Sequence, residues 1–275
     1  MSRFRASAPL TTAWKNFAFA VDGPVATVTL NRPDKLNALT FEAYADLRDL
    51  LTELPHHAGV KVLVIQGEGR GFCGGGDVNE IIGELIAMKA GDLMKFTKMT
   101  GDVIRAMREC PIPIIVKVHG IAAGAGSVIA LAADFRVVAR SARFAFLFTK
   151  VGLSGGDMGA AYLLPRIVGL GRATSLLMLG DTIDADTADR YGLVSQLVTD
   201  DDLDGAVAAL AARLASGPSL ALSQTKSLLT RELDMSLSAS TELDAMTQAL
   251  LMTTDDHAEF HAAFNAGRPP AWRGR

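Results

Sequence analysis

An α/β fold is what this sequence predicts, on three observations. Short runs rich in Val, Ile and Leu alternate with helix-periodic segments through the first two-thirds of the chain. Two glycine-dense loops each stand between a strand-like run and a helical one. Strand-like runs stop after Val198, and only helical patterns follow.

Taken in order, Phe17–Val21 and Val25–Leu30 predict two short strands around the turn Asp22-Gly23-Pro24. Thr40 is placed to cap a helix over 41–54, whose apolar residues Phe41, Tyr44, Leu47, Leu50, Leu51 and Leu54 recur at helical spacing. Val60–Gln66 is a buried-type strand, and a glycine loop over 67–76 leads into a helix from Asp77. A helix over 91–110 is stopped by Pro111 and Pro113. A strand at 112–118, a helix at 125–133 and a strand at 134–139 follow, then a short strand at 144–148. Helices are predicted at 157–168 and 172–179. Strand–helix–strand connections of this length cross over, so partly parallel strands are expected. Beyond Val198, helices are predicted at 201–215, 220–233 and 238–264. We therefore divide the chain into a core over 1–204 and a helical region over 205–275.

Composition narrows the function. The 275 residues are 49% hydrophobic and 21% charged, as in a folded globular protein. A net charge of -3 supplies no broad basic face, which speaks against nucleic acid as a partner. Two cysteines, Cys73 and Cys110, make no disulfide framework and fit a reducing, cytoplasmic setting. The five histidines show no metal-ligand spacing, so no metal is expected. The start of the chain, with Arg3, Arg5 and Lys15, lacks the apolar stretch of a signal peptide. No apolar run is long enough to span a membrane, so no membrane partner is expected.

The chemistry concentrates in two loops, Gly69-Arg70-Gly71-Phe72-Cys73-Gly74-Gly75-Gly76-Asp77 and His119-Gly120-Ile121-Ala122-Ala123-Gly124-Ala125-Gly126-Ser127. Glycine lets backbone approach a ligand, and the first turn of a helix offers N–H groups with no internal partner. Two such turns facing each other would aim two donors at one oxygen, which suits a carbonyl becoming an oxyanion. Read singly, each loop is a tight packing turn. Neither carries the G-x-G-x-x-G dinucleotide pattern or a nucleoside-triphosphate loop.

Together with their surroundings the loops carry a family pattern. Leu30-Asn31-Arg32-Pro33-Asp34-Lys35-Leu36-Asn37-Ala38-Leu39 precedes them. Ala130 to Asp134, Lys150-Val151-Gly152-Leu153, Leu163-Leu164-Pro165-Arg166, Gly180-Asp181 and Tyr191-Gly192-Leu193-Val194 follow in order. This ordered set resembles the crotonase, or enoyl-CoA hydratase/isomerase, superfamily. The resemblance implies a crotonase-like ββα spiral with a helical C-terminal oligomerisation region, assembled as a homotrimer or hexamer. It implies an acyl-CoA thioester as substrate, with coenzyme A part of that substrate and no prosthetic group. Gly76 and Ala125 correspond to the two oxyanion N–H donors, and alanine in place of a frequent glycine still has its N–H. Lys35, Leu36 and Ala38 match the stretch that runs along coenzyme A, and Gly74 and Asp77 the loop that meets the adenine and thioester. For the 3′-phosphate the choice between Lys35 and Arg32 stays open. Without the resemblance, Lys35 reads as a solvated residue and Asp77 as a helix N-cap.

The sequence also departs from the family. The positions matching the two hydratase glutamates are Val128 and Phe148, so the usual two-carboxylate addition of water has no carboxylates. The nearest replacement is Asp157. Double-bond and ring-epoxide isomerases of the superfamily carry an Asp in the same turn, one residue closer to the Gly-Leu pair. A catalytic base at Asp157 that moves a proton along the acyl chain is therefore expected, and desolvation by apolar neighbours would favour its neutral form. The alternative is that Asp157 caps a helix starting at Met158. Glu80 reads as a solvated helix residue; Ser127, Thr149, Ser154, Tyr162 and His119 read as structural, and Cys73 has no base to activate it. The reading is an isomerase or hydratase of this family, with isomerisation favoured. Hydrolysis or decarboxylation of an acyl-CoA, or acyl-CoA binding without turnover, are the alternatives.

Overall fold

The computed structural model describes residues 11–57 and 59–275; Arg3 and Arg5 of the basic start lie outside them. Strands β1 (Ala18–Asp22) and β2 (Val25–Leu30) form an antiparallel hairpin with Ala18 opposite Thr29. The Thr40 hydroxyl accepts the Ala43 N–H at 3.2 Å and starts α1 (Phe41–Glu53), which buries Tyr44, Leu47, Leu50 and Leu51. Strand β3 (Val62–Gly67) runs parallel to β2. After the first glycine loop, a wide π-type turn at Val78–Ile82 leads into α2 (Gly83–Ala87) and then α3 (Ala90–Glu109).

Past the two prolines come β4 (Ile114–Val118), β5 (Ile121–Ala123), α4 (Ala125–Ala132), β6 (Phe135–Ala139) and β7 (Arg143–Ala145). A 3-10 turn at Leu147–Val151 and another at Asp157–Gly159 precede α5 (Ala160–Val168) and α6 (Leu170–Leu179). Then follow β8 (Thr182–Asp184), α7 (Ala185–Arg190) and β9 (Gln196–Val198). The chain ends in α8 (Leu203–Ala215), α9 (Ser219–Arg231), α10 (Leu237–Leu251) and α11 (Asp255–Asn265).

Six strands form the main sheet in the order β1-β2-β3-β4-β6-β9, all parallel except the β1–β2 pair. Strands β5, β7 and β8 form a smaller sheet. Side chains alternate across the main sheet, and both faces are covered. Leu63, Ile65, Ile114 and Val116 face a core shared with Leu47, Met107 and Ile129. Val62, Val64, Ile115 and Val137 face the other way, onto Leu203, Val207 and Ala211 of α8. That arrangement explains why β3 and β4 read as continuous apolar runs rather than alternating ones.

Helix α9 packs Leu222 against the second apolar cluster and is also pinned by ions. The buried Lys226 ammonium donates to the Ile112 carbonyl at 3.0 Å and pairs with Asp134 at 2.7 Å. Arg108 reaches the same carboxylate at 3.5 Å. A cavity of about 350 Å³ opens beside this seam, between α9, α5 and the start of β6. Among the described residues no single helix is long and apolar enough to cross a membrane.

Several expected boundaries move. Strands β5, β8 and β9 and helix α7 were not anticipated; none of the three strands exceeds three residues, too few to show a period of two. The expected strand at 144–148 is a strand only at Arg143–Ala145 and then curls into a 3-10 turn. The expected helix over 238–264 is two helices: the chain breaks after Leu251, and the Thr254 hydroxyl accepts the His257 N–H to start α11. The helix expected from Asp157 begins at Ala160, because Met158 (φ 51) and Gly159 (φ 84) take left-handed conformations that no α-helix continues through.

Candidate active site

The segment after β2 and the first glycine loop lie side by side. Gly74 N–H donates to the Leu36 carbonyl at 2.7 Å, Leu39 N–H to Gly75 at 2.8 Å, and Asp77 N–H to Leu39 at 2.9 Å. Leu36 and Asn37 hold this approach in left-handed backbone, φ 50 and 57. The buried Asn37 side chain holds the turn closed. Its amide donates to the carbonyls of Glu68 and Gly71 at 2.8 and 2.9 Å, and its oxygen accepts the Arg32 N–H at 3.0 Å. Leu36, Ala38, Gly74 and Asp77 are thus brought together. Lys35 sits on the exposed edge of the same turn and makes no ion pair among the described residues.

The second glycine loop closes on the first. Phe72 and Cys73 N–H groups donate to His119 and Ile121 carbonyls, and Ala123 N–H returns a bond to Cys73 at 2.9 Å. At Gly126 a Cβ would lie 2.3 Å from the Cys73 carbonyl oxygen, so only glycine permits this contact. A Cβ placed on Gly75 would stand 3.6 Å from the Ala125 nitrogen, which measures how near the loops come. Ala125 is the first residue of α4, so its N–H has no intrahelical partner. Among the described residues neither Gly76 nor Ala125 donates its N–H to a protein acceptor. The positive φ that this turn needs falls on Gly124 (φ 50), and alanine at 125 carries no such strain.

Asp157 lies in the strained 3-10 turn that packs against α3 and α4. Its Oδ1 accepts the N–H of Met158 at 2.9 Å. Gly159, not Asp157, occupies the N-cap position of α5, so the capping alternative is not what the turn does. Burial pushes the Asp157 carboxyl above the ordinary carboxylate range, and the single Met158 hydrogen bond opposes that only in part. Tyr44 lies beside the first loop, its hydroxyl 3.4 Å from where a Cβ on Gly76 would stand. Burial, with the charges of Cys73 and Asp157 adding to it, pushes the phenol's pKa up. The sequence showed Tyr44 only as one more large residue on the buried face of α1.

Other polar groups resolve into structure. Asp77 caps the π-type turn, accepting the N–H groups of Asn79 and Glu80 at 3.0 and 3.1 Å. Burial alone would raise its pKa; those two bonds and Arg32 outweigh it and hold the carboxyl below its ordinary value. The Arg32 guanidinium is spent on Asp77, Glu80 and the Ala38 carbonyl. Glu80 is therefore an ion-pair partner and not merely solvated. Ser127 donates to the Ala122 and Ala145 carbonyls, and the His119 ring meets the Gly69 carbonyl at 2.9 Å. Burial pushes the Cys73 thiol up to about 12, a backbone hydrogen bond notwithstanding, and leaves it no nucleophile. Val128 and Phe148 are both buried.

Comparison with known proteins decides the family. A model of the enoyl-CoA hydratase/isomerase family matches residues 21–275. The chain belongs to the enoyl-CoA hydratase/isomerase family. A 1,2-epoxyphenylacetyl-CoA isomerase of Escherichia coli K12 is 35% identical over 93% of this chain and 97% of its own length. A crotonyl-CoA hydratase of Syntrophomonas wolfei is 30% identical over 92% and 95% of the two chains. A crystal structure from Streptomyces coelicolor A3(2), described as a candidate enoyl-CoA hydratase, is 64% identical and superposes over 100% of both chains with a TM-score of 0.96. As an enoyl-CoA hydratase/isomerase, the chain is an enzyme of crotonase fold acting on acyl-CoA. Its relatives include both isomerases and hydratases.

Proposed function

We propose that this enzyme shifts a double bond along the acyl group of a coenzyme A thioester. The amides of Gly76 and Ala125 hold the thioester oxygen. Asp157 takes a proton from the carbon α to the thioester, and the electron pair moves into the carbonyl oxygen as an enolate. As the enolate collapses, the proton returns to the γ carbon, so a β,γ double bond becomes α,β with no net loss or gain of atoms. One oxyanion donor of this kind lowers a barrier by roughly 3–4 kcal/mol, and general acid–base transfer adds roughly 10²–10⁴-fold.

The observation that carries this reading is the place of Asp157, a half-buried carboxyl in the turn packed against α3 and α4 that accepts one hydrogen bond, from Met158, and that burial pushes above its ordinary pKa. The two positions matched to the glutamates of water-adding relatives hold Val128 and Phe148 instead. Leu36, Ala38, Gly74 and Asp77 fit a wall for the pantetheine and adenine, with Lys35 as the cation for the 3′-phosphate, since Arg32 is already engaged. The exposed apolar residues of α10 and α11 fit a subunit contact in a homotrimer or hexamer.

The experiment is a mass-spectrometric and ultraviolet screen of unsaturated acyl-CoA thioesters. Unchanged mass with a shifted spectrum is the expected product. A gain of 18 mass units would replace isomerisation by hydration, and free coenzyme A would replace it by hydrolysis.

A further inference from the structure

The cavity beside α9 gathers more positive charge than its own lining neutralises. Arg108, Arg136 and Lys226 line it together with a single carboxylate, Asp134. Arg166 lines it too, but pairs with Asp234 at 3.0 Å. Asp134 takes Lys226 at 2.7 Å and Arg108 at 3.5 Å, and Arg136 makes no ion pair among the described residues. Arg136 is nevertheless held in place. Its Nε donates to the Leu193 carbonyl and its Nη1 to the Ala133 carbonyl, each at 2.6 Å. Its Nη2 donates to no protein acceptor among the described residues. Carbonyl groups carry no net charge, so the guanidinium has hydrogen bonds but no counter-ion. Burial draws its pKa down to about 10, with Asp134 opposing the fall and Arg108 adding to it, and it stays a cation at neutral pH. A desolvated cation without a counter-ion is unfavourable, which favours an anion brought to it.

The rest of the lining decides which kind of anion. Leu163 and Ile167 of α5 and Leu222 and Leu229 of α9 form apolar walls. A cavity of about 350 Å³ that is mostly apolar, with a few convergent polar groups, has the make-up of a small-molecule site. None of its lining residues belongs to either glycine loop. We propose that this cavity is a second binding site, for an aliphatic carboxylate whose head group is held by Arg136 and whose chain lies against Leu163, Ile167 and Leu222. A carboxylate supplies the missing counter-charge through a charge-assisted hydrogen bond, and its chain covers the apolar walls. Inorganic phosphate has no apolar part to bury there, and an alcohol leaves Arg136 without a counter-ion.

Calorimetry on the full chain at neutral pH tests this with octanoate, octan-1-ol and inorganic phosphate. Octanoate is expected to bind about tenfold more tightly than octan-1-ol, or better, because a hydrogen bond to a charged group separates them. Phosphate is expected not to bind over the same concentrations. Arg136→Met brings octanoate to the affinity of the alcohol. Arg136 also holds carbonyls of the fold, so a second variant keeps every charge: Leu222→Trp fills the cavity and is expected to abolish octanoate binding, with its folding checked by thermal melting. Equal affinity for acid and alcohol, binding of phosphate but not octanoate, or octanoate binding that Leu222→Trp leaves unchanged would each overturn the proposal. No turnover is measured, so neither result bears on the acyl-CoA chemistry at the glycine loops.

Discussion

The Arg32 guanidinium meets the Asp77 carboxylate at 3.1 Å, joining the turn that follows β2 to the cap of the turn that follows the first glycine loop. The two segments that would enclose coenzyme A are thus tied at their far ends, while Leu36, Gly74 and Leu39 join them along their length. Arg32→Ala removes the tie and the bond to Ala38. Charge-assisted bonds of this kind are each worth about 1.5–3 kcal/mol, so unfolding in urea at neutral pH is expected to show a loss of about that size, with a raised KM for acyl-CoA. The Asp77 carboxyl has a lowered pKa when folded. Its contribution is present above the unfolded value near 3.9 and is lost as pH falls through the folded value. Asp77→Asn is therefore expected to destabilise at pH 7 and to lose that effect in strong acid.

Asp157 has the opposite sign. Its folded pKa is raised, so the ionised form is disfavoured in the native protein, and stability declines as pH rises from the unfolded value through the folded one. Asp157→Asn removes the charge and is expected to melt no lower than the wild type at pH 7. Turnover of the best thioester falls by roughly 10²–10⁴-fold in the same variant. In the wild type, kcat/KM rises with pH as the carboxyl ionises, with an apparent pKa above the ordinary carboxylate value, and this acid limb is missing from the residual activity of the variant. An unchanged rate in Asp157→Asn would remove it as the base and leave the family assignment untouched.

How far the sequence could be read depended on how each feature is encoded. The β3 and β4 strands, α1 and α3 were legible because apolar content and period repeat over five or more residues. The small sheet of β5, β7 and β8 was not, since its pairing joins residues 121, 143 and 184 through contacts that no local pattern carries. In the site, the glycine clusters drew attention to the two loops around Gly76 and Ala125, while the roles of Leu36 and Gly74 came from the resemblance to the family and not from any local pattern. Tyr44 did not stand out, because a hydroxyl on the buried face of a helix has the same period as the leucines around it. Arg32 read as a candidate for phosphate; only the folded position of Asp77 and Glu80 shows that its charge is already taken.

The contact at Gly126 gives a test of the oxyanion geometry that touches no titrating group. Adding a methyl there places it 2.3 Å from the Cys73 carbonyl oxygen, a distance that real Cβ atoms do not adopt. Gly126→Ala must push α4 away from the first glycine loop, and Ala125 moves with it. A displacement of about 1 Å at a reacting centre can lower turnover by about 100-fold. The variant is expected to bind acyl-CoA within a few-fold of the wild type, since the Leu36–Gly74 wall is not involved, and to lose kcat. Equal losses in binding and kcat would place the damage in the wall and not in the oxyanion pair.

The end of the chain carries the last prediction. Helices α10 and α11 leave Leu237, Met246, Leu250, Phe260 and Phe264 exposed, and the rings of Phe260 and Phe264 lie 6.1 Å apart on one face. Large apolar residues grouped this way mark an interaction surface more often than scattered ones do. The oligomeric reading makes this face a contact between copies of the chain, in which each buried Phe contributes about 1.5–3 kcal/mol. Phe260→Asp combined with Phe264→Asp introduces two charges that such a contact cannot pair, and is expected to convert a trimer or hexamer to a smaller species by light scattering at micromolar concentration. Both side chains lie outside the core, so the variant keeps the melting profile of an isolated subunit. A wild-type mass of one subunit would exclude the contact, and a mutant that stays trimeric or hexameric would move it to another face.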